Sequence, residues 1–93
     1  MKRFAAIVIG TGQAGPALAA RLPGAGMKVA VIERHKLGGT CVNDGCTPTK
    51  AMVASAYAAR LAVRSSEYGI RIEGAPQADM KRVKARKDAI VAA

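Results

Sequence analysis

An α/β fold opening on a parallel strand–helix–strand unit is what the sequence predicts, and three observations predict it. A short, continuously apolar run, FAAIVIG (residues 4–10), leads straight into the glycine-rich GTGQAG (residues 10–15). A helix-forming stretch, PALAARL, comes next. A second apolar run, MKVAVIE, then closes on an acidic residue, Glu33.

Each element has a local reason. FAAIVIG lacks the polar alternation of a half-solvated strand and suits a parallel strand buried on both faces. Pro16 stands in the first turn of the helix that follows, where its missing N–H costs nothing. Pro23 and the Gly24–Gly26 turn end that helix, and MKVAVIE is the second strand. The glycine spacing has chemistry attached. Gly10 permits a tight turn, Gly12 lets the backbone approach a pyrophosphate, and Gly15 lets the helix pack close to the strand. The helix start offers unpaired N–H groups and a partial positive charge to phosphates. Glu33, about 20 residues on, is placed to accept hydrogen bonds from ribose hydroxyls. The unit therefore predicts dinucleotide binding, Rossmann-like in form, without distinguishing NAD from FAD.

After the second strand comes GGTCVNDGCTPTK (residues 38–50), which holds both cysteines of the chain. In a regular helix, Cys41 and Cys46 would stand about 7.5 Å apart along the axis, beyond the roughly 4.4–6.8 Å Cα separation of a disulfide. Bridging needs a break, and Asn43, Asp44 and Gly45 favour turns, with Gly45 free to take positive φ. Cys41 is thus expected on a loop, as the more exposed sulfur. Cys46 is expected near a helix start with Lys50 four residues on, both favouring a thiolate, and with Asp44 opposing it. Two cysteines and the distant His35 cannot complete a four-ligand zinc shell, so no metal site is expected. His35 reads as a surface residue. Tyr57, Tyr68 and Met52 read as packing residues of the long helix after the cysteines, which a short strand and a last helix follow.

Composition bounds the class. The chain has 93 residues, is half hydrophobic by count, and carries one Phe, two Tyr and no Trp. A domain of this size and alanine content builds a marginal core. The net charge of +9 raises a nucleic-acid or membrane reading, but only KRVKARK (residues 81–87) is dense. At 100° per residue Met80, Val83, Ile90 and Val91 share one arc, with Lys87 the one charge inside it, as in an amphipathic helix with a solvated face. No run approaches the ~18 apolar residues of a membrane span. MKRFAAIVIG is too short and runs into a glycine loop too soon for a signal peptide. A cytoplasmic location is expected, where paired cysteines are redox-active more often than structural. The last helical pattern carries no stop signal, so Ala93 is expected to be a truncation point.

GTGQAG, the strand ending in VIER, and GGTCVNDGCTPTK resemble the N-terminus of the flavin-dependent pyridine nucleotide-disulfide oxidoreductases, most nearly the mercuric reductase-like branch. The likeness runs over nearly the whole chain. It implies that residues 1–93 are the N-terminal segment of an FAD-binding domain, with the NAD(P)H and dimerisation domains absent. By the resemblance, Gly10, Gly12 and Gly15 would hold the FAD pyrophosphate and Glu33 the adenosine ribose. Gly39 and Thr40 would line the cofactor, and Lys50 would approach the flavin ring. Cys46 would be the thiol beside the flavin, and Cys41 the interchange thiol that meets the acceptor. Asp44 and Thr47 depart from the family pattern, where apolar residues are usual. The complete enzyme, a homodimer, would pass electrons from NAD(P)H through FAD to a Cys41–Cys46 disulfide and on to an acceptor such as mercuric ion or a small disulfide. The segment alone would be inactive. Two other classes stand beside this one: a nucleotide-binding module without turnover, and a basic nucleic-acid-binding protein using KRVKARK.

Overall fold

The computed structural model describes residues 1–93, which form two compact units, Met1–Gly45 and Cys46–Ala93.

In the first unit, β1 (Ala6–Ile9) is followed by the glycine loop, α1 (Gly15–Arg21), a 3₁₀ turn (Leu22–Ala25), β2 (Val29–Ile32) and α2 (Gly39–Asp44). The strands pair in parallel with Ala6 opposite Val29 and Ile9 opposite Ile32. The ladder runs on at both ends, where Ala5 N donates to Lys28 O at 2.8 Å and Gly10 N to Ile32 O at 2.7 Å. Pro16 lies at the start of α1, and Gly26 ends the 3₁₀ turn in the left-handed conformation, at φ 80°.

The α1 helix covers one face of this two-stranded sheet, and Gly15 allows it. A Cβ on Gly15 would fall 2.5 Å from Gly10 O and 3.2 Å from Val8 Cγ1, so only a glycine fits between helix and strand. Val8 is the buried hydrophobic residue of the unit, at 9% exposure. The expectation of a strand buried on both faces is not met: Ile7 is 60% and Ile9 83% exposed. With a period of two these side chains point away from Val8, towards the face that α1 does not cover.

The stretch expected as a cysteine loop is a helix, α2. Asn43, read from the sequence as a turn former, instead sits inside it, its side-chain amide donating to Leu37 O at 2.9 Å and Gly39 O at 2.8 Å. Helix α2 ends at Gly45, but by crowding rather than positive φ. Its φ is −120°, and a Cβ there would stand 3.2 Å from both Cys41 Cα and Thr40 O.

The second unit is helical. It comprises α3 (Cys46–Val63), a 3₁₀ turn (Ser65–Tyr68) closed by left-handed Gly69, an irregular segment over residues 70–79, and α4 (Met80–Ala92). Asp79 caps α4, accepting from Arg82 N at 3.1 Å. The short strand expected between the last two helices does not form, since this unit holds no strand to take its backbone hydrogen bonds.

The α3 and α4 helices pack together, with Ala51 buried at 6% exposure. Arg86 of α4 donates from Nη1 to Ala51 O at 3.0 Å and to Ser55 Oγ at 3.3 Å. Of the arc expected to face inward, Val83, Lys87 and Val91 are half-buried, while Met80 and Ile90 remain exposed. Tyr57 and Tyr68 are likewise exposed, at 64% and 63%, and not packed as expected. Together with Leu61, Ile70 and Ile72 they line an open apolar groove of ≈ 550 Å³. No helix is long and apolar enough to cross a membrane.

Candidate functional site

The site is built in the first unit from two stretches far apart in sequence. The first is the glycine loop at the carboxyl end of β1, where ligands of open parallel sheets are bound. Gly10 turns the chain there with φ +97°. The second is the turn Gly38–Gly39 leading into α2. Thr11, buried at 8% exposure, joins the two: Gly38 N donates to Thr11 Oγ1 at 3.1 Å. Beside that bond the backbones touch. Gly39 has φ +76°, and a Cβ on it would fall 2.7 Å from Gly12 Cα. Any side chain at position 39 would push the turn off the loop.

The outer side of the loop is open. A Cβ on Gly10 or on Gly12 would meet no protein atom within 4 Å. No side chain caps the start of α1, so its first amides remain available to an anion. Next to this cradle lies a pocket of ≈ 220 Å³ lined by Glu33, Thr40, Gly39 and Asn43, with Arg34, His35, Lys36 and Asp44 at its wall. Glu33, half-buried, stands one residue past the end of β2. The pocket is smaller than the roughly 300–1,000 Å³ of whole-ligand sites and suits a sugar-sized part of one. A glycine cradle for phosphates, with a carboxylate and a sugar-sized pocket alongside, matches the donor and acceptor pattern of a dinucleotide. The residues present therefore fit FAD.

Of the residues expected to act, the structure brings Gly10, Gly12, Gly15 and Gly39 together, with Glu33 and Thr40 at the adjoining pocket. Cys41 lies inside α2 in the same unit and is half-buried. Cys46 is the first residue of α3, the helix start the sequence predicts, and Lys50 is exposed one turn further on. The expected order of exposure is reversed. Cys46 is exposed and Cys41 half-covered, because Cys41 is in a helix and not a loop. His35 is exposed, as expected.

Sequence reasoning missed Thr11 and the role of Asn43. A hydroxyl between two loop glycines was the available signal for Thr11, but nothing in a single sequence ties it to Gly38. The basic run that raised a nucleic-acid reading is partly engaged within the chain. Arg86 is held by α3, and Lys84 and Lys87 both pair with Asp88. No group of three or more His, Cys, Asp or Glu side chains lies together as a metal site would need.

Comparison with known proteins agrees with this geometry. Residues 4–92 match the family described as pyridine nucleotide-disulphide oxidoreductase. The chain is 38% identical over 85 residues to a dihydrolipoyl dehydrogenase of Bacillus subtilis, covering 91% of this chain and 18% of that protein. It is 41% identical over 96 residues to dihydrolipoyl dehydrogenase 3 of Pseudomonas aeruginosa, covering 100% of this chain and 20% of that one. Among solved structures, the Cu(II) complex of the HOCl-induced flavoprotein disulfide reductase RclA from Escherichia coli superposes with a TM-score of 0.74 at 35% identity, over 99% of this chain and 17% of RclA. The chain thus spans about a fifth of the length of the relatives it matches. With a family match over nearly all its length, and with the glycine cradle and cysteine helix in place, the chain belongs to the pyridine nucleotide-disulphide oxidoreductase family.

Proposed function

We propose that this chain is the N-terminal, FAD-binding part of an NAD(P)H-dependent disulfide oxidoreductase in which Cys41 and Cys46 form the redox pair. The observation that carries the reading is the docking of Gly38–Gly39 onto the glycine loop through Thr11 and Gly12, which sets the start of the cysteine helix against the phosphate cradle. FAD, when bound, supplies the two-electron relay between a nicotinamide donor and the cysteine pair.

The chain's own residues do the rest. Gly10, Gly12 and the first amides of α1 hold the pyrophosphate, and Gly15 keeps that helix close. Glu33 accepts from the ribose hydroxyls, while Gly39 and Thr40 line the cofactor and Lys50 approaches its ring. In the reduced pair one thiolate attacks a substrate disulfide and forms a mixed disulfide. The other cysteine displaces the second substrate thiol, leaving a substrate dithiol and a Cys41–Cys46 disulfide. By family resemblance Cys41 makes the attack and Cys46 is the thiol beside the flavin.

The acceptor proposed is a disulfide, as the description of RclA as a flavoprotein disulfide reductase suggests. Mercuric ion finds no support among these relatives. The working enzyme is proposed to be a cytoplasmic homodimer, with the remaining domains supplying the nicotinamide site.

A chimera tests this, with these 93 residues replacing the matched segment of the Bacillus subtilis enzyme. It should bind flavin and turn over. Cys41→Ser and Cys46→Ser should each stop disulfide-dependent turnover while keeping flavin, and only Cys46→Ser should abolish the long-wavelength absorbance of a thiolate against the flavin. The opposite pattern reverses the two roles. Turnover that survives both substitutions sinks the redox reading and leaves a nucleotide-binding module.

A further inference from the structure

We propose that Thr11 is a positioning residue for Cys41: its buried hydroxyl latches the Gly38–Gly39 turn to the glycine loop and so sets how far α2, and the thiol it carries, stands open to reagents. Thr11 is the buried polar residue of the chain, at 8% exposure, and its Oγ1 is the acceptor for Gly38 N at 3.1 Å. The turn is held on three sides. Thr11 holds Gly38, the Gly39 backbone rests against Gly12 without room for a Cβ, and Asn43 ties Leu37 O and Gly39 O back to α2. Cys41 lies between Gly39 and Asn43, so it has no conformational freedom independent of that turn.

A six-residue helix is too short to hold itself in water. Its order depends on these anchors, and Thr11 supplies the one side-chain hydrogen bond to them from outside the turn and helix themselves. Removing the hydroxyl leaves the Gly38 N–H without its acceptor in a half-buried place, which is the costly side of hydrogen bonding. The predicted response is local: α2 opens and Cys41 reacts faster, while the second unit is unaffected. This inference rests on the proposed reading only in making Cys41 a redox residue; the latch itself is a statement about the chain without cofactor.

The experiment is alkylation of the full 93-residue chain by iodoacetamide at about 10–20 °C, where small domains are most stable, with Cys41 and Cys46 followed separately by peptide mass spectrometry. Thr11→Val, which keeps the shape but not the acceptor, should raise the Cys41 rate by about five-fold while Cys46 stays within a factor of two. Thr11→Ser should restore the native ratio. An unchanged Cys41 rate in Thr11→Val overturns the latch. An equal rise at both cysteines overturns it too, since Thr11 would then serve general stability alone. As a second measurement, amide exchange should show the Gly38 N–H protected in the native chain and lost first in Thr11→Val. Exchange at Gly38 as fast as in residues 70–79 of the native chain also contradicts the latch. Failure of flavin binding in the chimera with the latch intact would remove the functional reading and leave this one standing.

Discussion

Asp88 shows what a single exposed residue can and cannot contribute. Its carboxylate accepts from Lys84, one turn before it, and from its neighbour Lys87, and these hydrogen bonds hold its pKa below the ordinary carboxylate range. A carboxylate whose folded-state pKa is depressed adds stability that is present above its unfolded pKa and lost as pH falls through the folded value. Because the group is exposed, salt screens most of the effect. The expected outcome is a small loss of α4 helicity by circular dichroism on acidification below about pH 4, weaker in high salt and absent in Asp88→Asn. An acid transition unchanged in Asp88→Asn would place it elsewhere. At this scale sequence was a fair guide where the physics was local, as with Pro16 in the first turn of α1 and Cys46 at the start of α3. It failed where a partner lay far along the chain: Thr11 is unremarkable until Gly38 is beside it, and Asn43 reads as a turn former until its amide finds Leu37 O and Gly39 O.

Elements were legible to the extent that they satisfy themselves. The strand–helix–strand unit stood out because apolar runs, glycine spacing and a proline at the helix start all point to one structure. The short strand expected between the last two helices has no neighbouring strand in its unit, and a strand cannot close its own hydrogen bonds. The α2 helix was hidden because residues 38–45 carry three glycines, Gly38, Gly39 and Gly45, which are poor helix formers, so only its anchors reveal it. Packing between elements is most exposed to test at Gly15. The Cβ of Gly15→Ala would stand 2.5 Å from Gly10 O, a backbone atom with no easy retreat. Prying α1 from β1 in this way should cost about 1–3 kcal/mol, seen as a lower urea midpoint with little change in slope. An unchanged midpoint would mean that α1 does not rest on β1 through this glycine.

The whole chain is apolar in places where a finished domain is covered. Ile7, Ile9 and Ile32 are exposed on the sheet, and the groove lined by Tyr57, Leu61 and Tyr68 is open in the second unit. Buried area, not composition, supplies the hydrophobic stabilisation, and here little apolar surface is fully removed from water. The chain by itself should therefore melt broadly, at low temperature, and with a concentration dependence that a covered domain lacks. A sharp, concentration-independent calorimetric transition would contradict this.

The central claim is that the glycine loop and the Gly38–Gly39 turn together form one cradle for the pyrophosphate of FAD. Flavin content of the purified chimera, native and Gly12→Ala, tests it most directly. A Cβ on Gly12 meets no protein atom within 4 Å, so the substitution should leave the fold intact by circular dichroism while placing a methyl group where the phosphates are to lie. The predicted result is near-stoichiometric flavin in the native chimera and about a ten-fold or greater loss of flavin affinity in Gly12→Ala. Equal flavin content in the two, with both folded, would contradict the cradle.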